Sequence, residues 1–466
     1  MRGAEAPQRS SADGPTLHPV LILLSCVGSD HPLVEPENRP GGRVEFHARM
    51  GCGELKLKSG SVELTDPDVG LWCSKGYTGV QGDFHIDTDQ PDLSSLDCLC
   101  QVGGELSITG TMTSLRGLEQ LERVGDLTIE GTPSLTTLAP LSGLEVEDDI
   151  KLVTMRLLAS LEGLDQPRIR GDLRLLTESI DLRSLEGLGV EEIQGDLEVS
   201  WTSGLSSLEG LEQVREIGGD LNIQYDNGLI DLTGLRVEHV GGTVRIGNNA
   251  LLESLDGLET LEQVDGWFFI QGNDSLVTLQ GLEGLQVVAK ALQVDQNDNL
   301  VSLEGLDALH SLGGNLEILY NPSLTTLEDL PDLGEIGILQ ISNNDALTTL
   351  RGLEGVRGST SVRLNSNDSL IDLEGLDGLE VAQGYVVITG HDSLESLAGL
   401  EGLQRIESDL RVEENLVLVD LTPAYGVEFV SGNLKILDNP SLGNAAAWDF
   451  VEHVEHVGGQ VQVAGN

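Results

Sequence analysis

The chain is 466 residues long and carries 26 basic against 77 acidic residues, a formal net charge of −51. This charge argues against nucleic-acid binding, which needs clusters of Lys and Arg, and against direct docking on anionic lipid. The hydrophobic share of 39% is too high for a disordered chain. Aromatic residues make up only 3%, and there are 58 glycines, which indicates many small uniform layers in place of a bulky core.

Residues 1–26 resemble the leader of a secreted or lipid-anchored protein. An apolar run over residues 17–25 ends at Cys26, and Leu23–Cys26 resembles a lipobox, in which Cys26 becomes the lipidated first residue of the mature chain. The run is short, and Pro19 interrupts it, so a cleaved secretion signal and a buried cysteine in a disordered leader are the alternatives. Residues 27–50 are rich in Pro and Gly and are interpreted as a linker.

Four further cysteines lie between residues 51 and 103, which we interpret as an N-terminal cap with the first coil of a repeat. They are Cys52, Cys73, Cys98 and Cys100. Cys98 and Cys100 are too close in sequence to bond comfortably with each other, so each is expected to form a disulfide with Cys52 or Cys73. A zinc site is the alternative, although the spacing of Cys98 and Cys100 does not match the usual zinc-binding pair.

A short string recurs along the rest of the chain and predicts its architecture. It begins as GDFHI at residue 82, continues through copies such as GDLNI at 219, and ends as GQVQV at 459. The 17 copies have a mean spacing of (459 − 82)/16, about 24 residues, within the range of leucine-rich and related solenoid repeats. We therefore predict a mainly β fold: one parallel-stranded, leucine-rich-repeat-like or β-helical solenoid of about 17 coils, with residues 104–466 as its regular part and a disulfide cap before it.

Each copy predicts the same local structure. The string alternates apolar and polar residues, which is typical of a strand with one buried face, as with Leu221 and Ile223 inside and Asn222 outside. Leu then recurs at every third residue, a spacing that indicates a coil with 3₁₀-like turns in which each Leu points inward. The intervening Gly and Glu residues are expected on the solvated back of the coil.

An Asn recurs three places after the last apolar residue of the strand. Its side-chain amide is expected to pair with backbone groups of neighbouring coils. In earlier coils the same position holds Thr111, Thr132, Thr202, Met155 or Glu178, so a less regular ladder is expected there, with hydroxyls replacing some of the amides. The predicted structural ladder comprises Asn249, Asn273, Asn297, Asn321, Asn344, Asn367, Asn415 and Asn439.

Outward strand positions and the turns after them carry the candidate ligand-binding residues. Aromatic side chains are scarce in this chain, so exposed ones suggest a contact surface for a protein or a glycan. Basic residues also gather in one outward column beside an acidic one, and a mutually neutralised sheet face is the alternative interpretation. The candidate residues are Trp201, Tyr225, Arg245, Trp267, Phe269 and Tyr385.

The last repeat is longer than the others and predicts a short helix near the C-terminal end. Trp448, Val451 and Val454 recur at helical spacing. His453 and His456 suggest a metal site only weakly, so no metal and no cofactor is predicted.

The repeated pattern GDLxI, a turn with Asn-x-Ser-Leu, LxGL and a closing Ile-Gly-Gly resembles the receptor L-domain family. The strongest matches begin at residues 219, 269 and 314, and the resemblance covers about residues 82–466. Members are ligand-binding β-helical lobes of receptor ectodomains, with relatives on bacterial surface lipoproteins. The resemblance implies a binding or adhesion role and no catalytic residues, while the absence of a kinase and of a transmembrane segment argues against receptor-type signalling.

We therefore expect a non-enzymatic binding or adhesion protein that uses the outer face of its solenoid. Its expected partner is an extracellular protein or glycan, with no nucleic acid, and its only expected contact with a membrane is the lipid anchor. The expected location is extracytoplasmic, at the bacterial outer membrane or cell surface. A structural envelope spacer without a ligand and a carbohydrate-active β-helical enzyme are the alternatives.

Overall fold

Each repeat forms one coil of a parallel β-solenoid in the computed structural model, which describes Cys52, residues 55–66 and residues 68–466. The predicted leader 1–26, with Cys26, and the predicted linker 27–50 lie outside the described residues. The predicted solenoid of about 17 coils is confirmed.

The recurring string forms the strands of the main sheet. Successive strands pair in parallel and in register, so Leu221 aligns with Val244 and Val244 with Phe268. Two strands are longer than the rest because they also run through the second sheet described below. The main-sheet strands are Val62–Thr65, Phe84–Asp87, Leu106–Thr109, Leu127–Glu130, Ile150–Val153, Leu173–Leu176, Leu197–Ser200, Leu221–Gln224, Val244–Gly247, Phe268–Gln271, Leu292–Asp295, Leu316–Leu319, Gly334–Ser342, Val356–Asn365, Val386–Thr389, Leu410–Glu413, Leu434–Leu437 and Val461–Ala464.

One coil precedes the first copy recognised in the sequence. Val62–Thr65 pairs in register with Phe84–Asp87 and buries Val62 and Leu64 as later strands bury their apolar residues. Its sequence, GSVEL from Gly60, lacks the Gly-Asp pair that marks many of the other copies. The segment interpreted as a cap therefore contains two coils instead of one.

A second, narrow sheet runs beside the main sheet and was not predicted. The residues shortly before the recurring string form it, and apart from the two long strands each of its strands spans only two residues. Its pairing is interrupted between Val146 and Arg168 and again between Leu312 and Gly334. Its strands are Leu57–Lys58, Gly79–Val80, Gln101–Val102, Arg123–Val124, Glu145–Val146, Arg168–Ile169, Glu192–Ile193, Glu216–Ile217, His239–Val240, Gln263–Val264, Val287–Val288, Ser311–Leu312, Val381–Ala382, Arg405–Ile406, Phe429–Val430 and His456–Val457.

The leucines spaced by three close each coil on its third side. Leu276, Leu279, Leu282 and Leu285 are all fully buried. The N–H of Leu282 donates to the carbonyl of Leu279 at 3.2 Å, and that of Leu285 donates to Leu282 at 2.9 Å. These bonds between residues three apart are the 3₁₀-like turns that the spacing predicts.

The repeated glycine of this segment is required by the approach of the preceding coil. Gly281 has a φ of 105°, and a Cβ there would collide with the backbone of Leu255. Its N–H donates to the carboxylate of Glu283 at 3.1 Å. Some of the acidic residues on the back of the solenoid therefore accept backbone hydrogen bonds.

Inside the turn after the main sheet, the eight ladder Asn side chains are fully buried. The Oδ1 atom of Asn297 accepts the N–H of Asn273 at 3.1 Å, and its Nδ2 atom donates to the carbonyl of Ile270 at 3.1 Å. Each amide thus joins its own coil to the preceding one and satisfies backbone groups that the turn would otherwise leave unpaired.

The earlier coils depart from this ladder as expected, with Thr132, Met155 and Thr202 buried in it, but at two turns the occupant differs from the one that the sequence indicated. Thr111 is exposed and Met112 takes the buried position, because this turn is one residue longer. Glu178 is only half-buried, while Thr177 and Ser179 on either side of it are buried. The spacing rule was wrong at these two turns because it assumed a constant turn length.

A second ladder, formed by acidic residues at the start of the main-sheet strands, was missed. The Oδ1 atom of Asp196 accepts the N–H of Asp220 at 2.8 Å, and Asp172 accepts the N–H of Asp196 at the same distance. A Cβ on Gly219 would collide with Asp196 Oδ1, which explains why Gly precedes Asp in the repeated string. The same contact recurs from Asp83, Asp126, Asp149, Asp220 and Asp409.

The N-terminal end is closed by two disulfides, Cys52–Cys100 and Cys73–Cys98. This pairing confirms the disulfide prediction, since Cys98 and Cys100 each bond to one of the two earlier cysteines. Short 3₁₀ helices at Asp68–Leu71 and Cys73–Lys75 place the buried Trp72 against Phe84 of the second coil. Further 3₁₀ turns are Ser94–Leu96, Ala139–Leu141 and Thr422–Gly426.

These disulfides are typical of proteins that fold outside the cytoplasm. Within the part of the chain that the structure describes, no helix has the length and apolar character needed to cross a bilayer.

The predicted C-terminal helix is present at Asn444–His453. It buries Ala447 and Phe450 against the last coils and leaves Trp448 exposed. His453 stacks on Tyr425 and His456 on Phe429. In the described residues no three His, Cys, Asp or Glu side chains gather in a way that could hold a metal ion.

Candidate functional site

Two of the candidate aromatic residues form an exposed stack at one end of the main sheet. Trp201 and Tyr225 follow neighbouring strands, and their rings lie 4.2 Å apart with an interplanar angle of 10°. Trp201 is 54% exposed and Tyr225 is 36% exposed. The pair presents a rigid aromatic surface with a polar group on each ring.

Both residues occupy a backbone conformation that large side chains rarely adopt. The first turn residue has a φ of 62° in Trp201 and 60° in Tyr225. Some other coils place residues suited to this left-handed region there, such as Asn248 and Gly272, but others place Gln296 or Glu414 there. A bulky residue held there costs about 1 kcal/mol or more. Because the conformation recurs in most coils, it is a property of the solenoid turn and is not confined to these two residues.

The remaining candidates on the neighbouring coils form a half-buried cluster on the sheet face. Trp267 and Phe269 stack with ring centroids 5.4 Å apart, and the Arg245 guanidinium lies 5.4 Å from the Phe269 ring. Arg245 also donates to Asp220 Oδ2 at 3.0 Å. This cluster and the Trp201–Tyr225 stack lie on four consecutive coils, at opposite ends of their strands.

Tyr385 does not join this group. Its strand follows the strand of Phe269 by five coils, about 24 Å along the solenoid. Its hydroxyl instead accepts a hydrogen bond from Arg363 at 2.7 Å, and the guanidinium lies 5.3 Å from its ring. The sequence analysis did not single out Arg363, because its character depends on which residues the neighbouring coils place beside it.

Ion pairs compensate several basic residues of the outward column. Arg174 binds Asp172 at 2.6 Å, and Arg411 binds Asp409 at 2.8 Å. These contacts support the interpretation of a mutually neutralised face for those coils. They do not extend to Arg363, which forms no ion pair with a carboxylate of the described residues.

Near the N-terminal end, a depression of about 410 Å³ lies on the main sheet and is mostly acidic. Asp126 and Asp149, which line it, both accept backbone N–H groups of the next coil. Lys151 lies 3.9 Å from Glu130, and Arg174 pairs with Asp172. These contacts give most of the carboxylates in the depression a structural role.

Comparison with protein-family models and with curated proteins finds no match to this chain.

Proposed function

We propose that this protein is a non-enzymatic binding or adhesion protein, and that the Trp201–Tyr225 stack is part of its contact surface. The supporting observation is the combination of exposure and mutual stacking at both residues. Trp and Tyr are the residues most enriched among the energetically dominant contacts of protein interfaces. Two exposed, stacked aromatic residues on adjacent coils are unusual in a chain with only 3% aromatic residues, and a contact with another molecule explains them.

A double substitution separates this proposal from a role in folding. Replacing Trp201 and Tyr225 by Asn supplies the residue that the next coil carries at Asn248. The W201N/Y225N variant should therefore melt at or above the wild-type temperature. It should also lose binding by tenfold or more to whichever ligand is found by probing glycan and extracellular-protein arrays with the full chain.

Tyr320 supplies the matched control. It occupies the same turn position four coils further on, with a φ of 52° and an exposure of 52%, but it has no aromatic partner beside it. The Y320N variant should retain binding. Unchanged binding by W201N/Y225N would refute the role of the stack, and an array without any ligand would favour the structural spacer.

The proposal extends to display at a bacterial cell surface, by a lipid on Cys26, of a fold related to receptor L domains. It rests on the lipobox-like sequence Leu23–Cys26 and on the repeat pattern, together with the two disulfides. Replacing Cys26 by Ser should abolish fatty-acid incorporation and release the protein from the membrane fraction.

A further inference from the structure

One region of the main-sheet face around Arg363 carries no acidic residue. It spans three neighbouring strands within Gly334–Ser342, Val356–Asn365 and Val386–Thr389, which pair in register. No carboxylate stands at the outward positions of residues 338–342, 361–365 and 385–389; the exposed Glu335 lies at the other end of the first strand. The polar side chains there, hereafter the acid-free patch, are Gln340, Ser342, Arg363, Asn365, Tyr385 and Thr389.

Arg363 lies at the centre of the acid-free patch with only neutral partners. Its guanidinium donates to Tyr385 Oη at 2.7 Å and to Gln340 Oε1 at 3.4 Å. Arg174, Arg245 and Arg411, in the same column, each contact an Asp carboxylate. The strands around Arg363 place Ile338, Ser361 and Tyr385 where the other coils place that Asp, so its charge stays uncompensated.

Two polar atoms without hydrogen-bond partners lie two residues further along the same strands, but both are buried. They are Ser342 Oγ, on a side chain that is 3% exposed, and Asn365 Oδ1 on the neighbouring strand. Because an amide oxygen only accepts hydrogen bonds, neither atom is counted as a contact to an anion. The group that can bind a carboxylate is the half-buried Arg363 guanidinium beside the Tyr385 ring, which has no ion-pair partner and can donate charge-assisted, oriented hydrogen bonds.

From these contacts we infer that the acid-free patch binds a carboxylate-bearing sugar residue of a glycan. The inference rests on the proposed binding function and adds a second contact region with a defined ligand class. One guanidinium compensates one carboxylate, and the amide, hydroxyl and aromatic groups around it suit a sugar ring. An acidic peptide would bring several carboxylates to a chain of net charge −51, which repels them.

The test uses the full chain on an array that carries glycans ending in sialic or uronic acid, their methyl esters, neutral glycans and acidic peptides. The wild type should bind the acidic glycans, and esterification should remove this binding. R363Q should weaken it tenfold or more, since charge-assisted hydrogen bonds are lost. R411Q removes a guanidinium two coils away that is already paired with Asp409, and it should retain binding.

Thermal melting of both variants verifies that they fold. Equal binding of the esters, or full binding by R363Q, would overturn the inference. If a ligand binds through the Trp201–Tyr225 stack and is indifferent to both changes, the proposed function stands without the acid-free patch. Binding of acidic peptides alone would replace the glycan by a protein, and a lack of any ligand would overturn both proposals.

Discussion

At the scale of single residues, Asp226 stands in the Asn ladder where a carboxylate is least suited. It is fully buried, its Oδ1 atom accepts the N–H of Thr202 at 2.7 Å, and its Oδ2 atom has no partner. In the next coil the corresponding atom is Asn249 Nδ2, which donates to a carbonyl. Burial raises the pKa of Asp226 to about 8, so at neutral pH this residue is a protonated acid that can donate as Asn does.

This pKa predicts how the stability depends on pH. The folded state keeps a proton that the unfolded state releases near pH 4, so the contribution of Asp226 falls as the pH rises from about 4 to about 8. D226N lacks this titration. Its free energy of unfolding should match the wild type at pH 4 and exceed it by about 2–4 kcal/mol at pH 7, as measured by denaturant titration. A gap independent of pH would contradict the prediction.

His391 also replaces an Asn in this ladder, and its pKa shifts in the opposite direction to that of Asp226. Its Nδ1 atom accepts the N–H of Asn367 at 3.2 Å, and its Nε2 atom lies 3.1 Å from the carbonyl of Leu364. The Nδ1 atom also lies 3.2 Å from the carbonyl oxygen of Asn367, so its two contacts suit opposite tautomers. Burial of the ring favours its neutral form. Burial lowers the pKa of His391 accordingly.

The lowered pKa predicts a loss of stability in acid. Below about pH 6.5, His391 is protonated in the unfolded state but stays neutral in the folded state. The free energy of unfolding therefore falls as the pH falls. H391N restores the ladder amide. Relative to the wild type, the free energy of unfolding of H391N should increase progressively as the pH falls from 7 to 5, and the difference should be constant above pH 7.5. An equal pH dependence of both proteins would refute the neutral-ring assignment.

At the scale of the repeated element, the acidic ladder predicts that the acceptor matters more than the charge. Asn315 and Asn433 occupy the same column and accept backbone N–H groups at 2.9 Å, as Asp does elsewhere. D196N should therefore retain the stability of the wild type. D196A should lose about 1–2 kcal/mol, because the N–H of Asp220 loses its acceptor. Equal stability of both variants in thermal melting would indicate that water replaces the acceptor.

The sequence predicted this element where each coil carries its own signal. Alternation within five residues indicated the strand, and Leu at every third residue indicated the turns. Both patterns reflect which side chains of a single coil are buried and which are exposed. The acidic ladder was not predicted because the contact between Asp196 and Gly219 joins two neighbouring coils and leaves no pattern within either one. The narrow sheet escaped because two residues are too few to show an alternation.

At the scale of the whole molecule, the candidate site shows the same limit. The sequence showed the aromatic residues in outward positions. It also showed that Trp201 and Tyr225 lie close to each other, since their coils are adjacent. Their left-handed backbone depends on where each strand ends. The isolation of Arg363 from carboxylates depends on three coils together, so a list of its sequence neighbours does not reveal it.

The stacking of coils also determines how the charge of −51 acts on stability. Acidic positions repeat at about 4.8 Å along the solenoid, well within the screening length of about 10 Å at 0.1 M salt, so their mutual repulsion opposes folding. The melting temperature at pH 7 should therefore rise by several degrees between 10 and about 300 mM NaCl. At pH 4.2, near the isoelectric point, the same salt should have little effect. A melting temperature that falls with salt at pH 7 would show that ion pairs such as Arg174–Asp172 outweigh the repulsion.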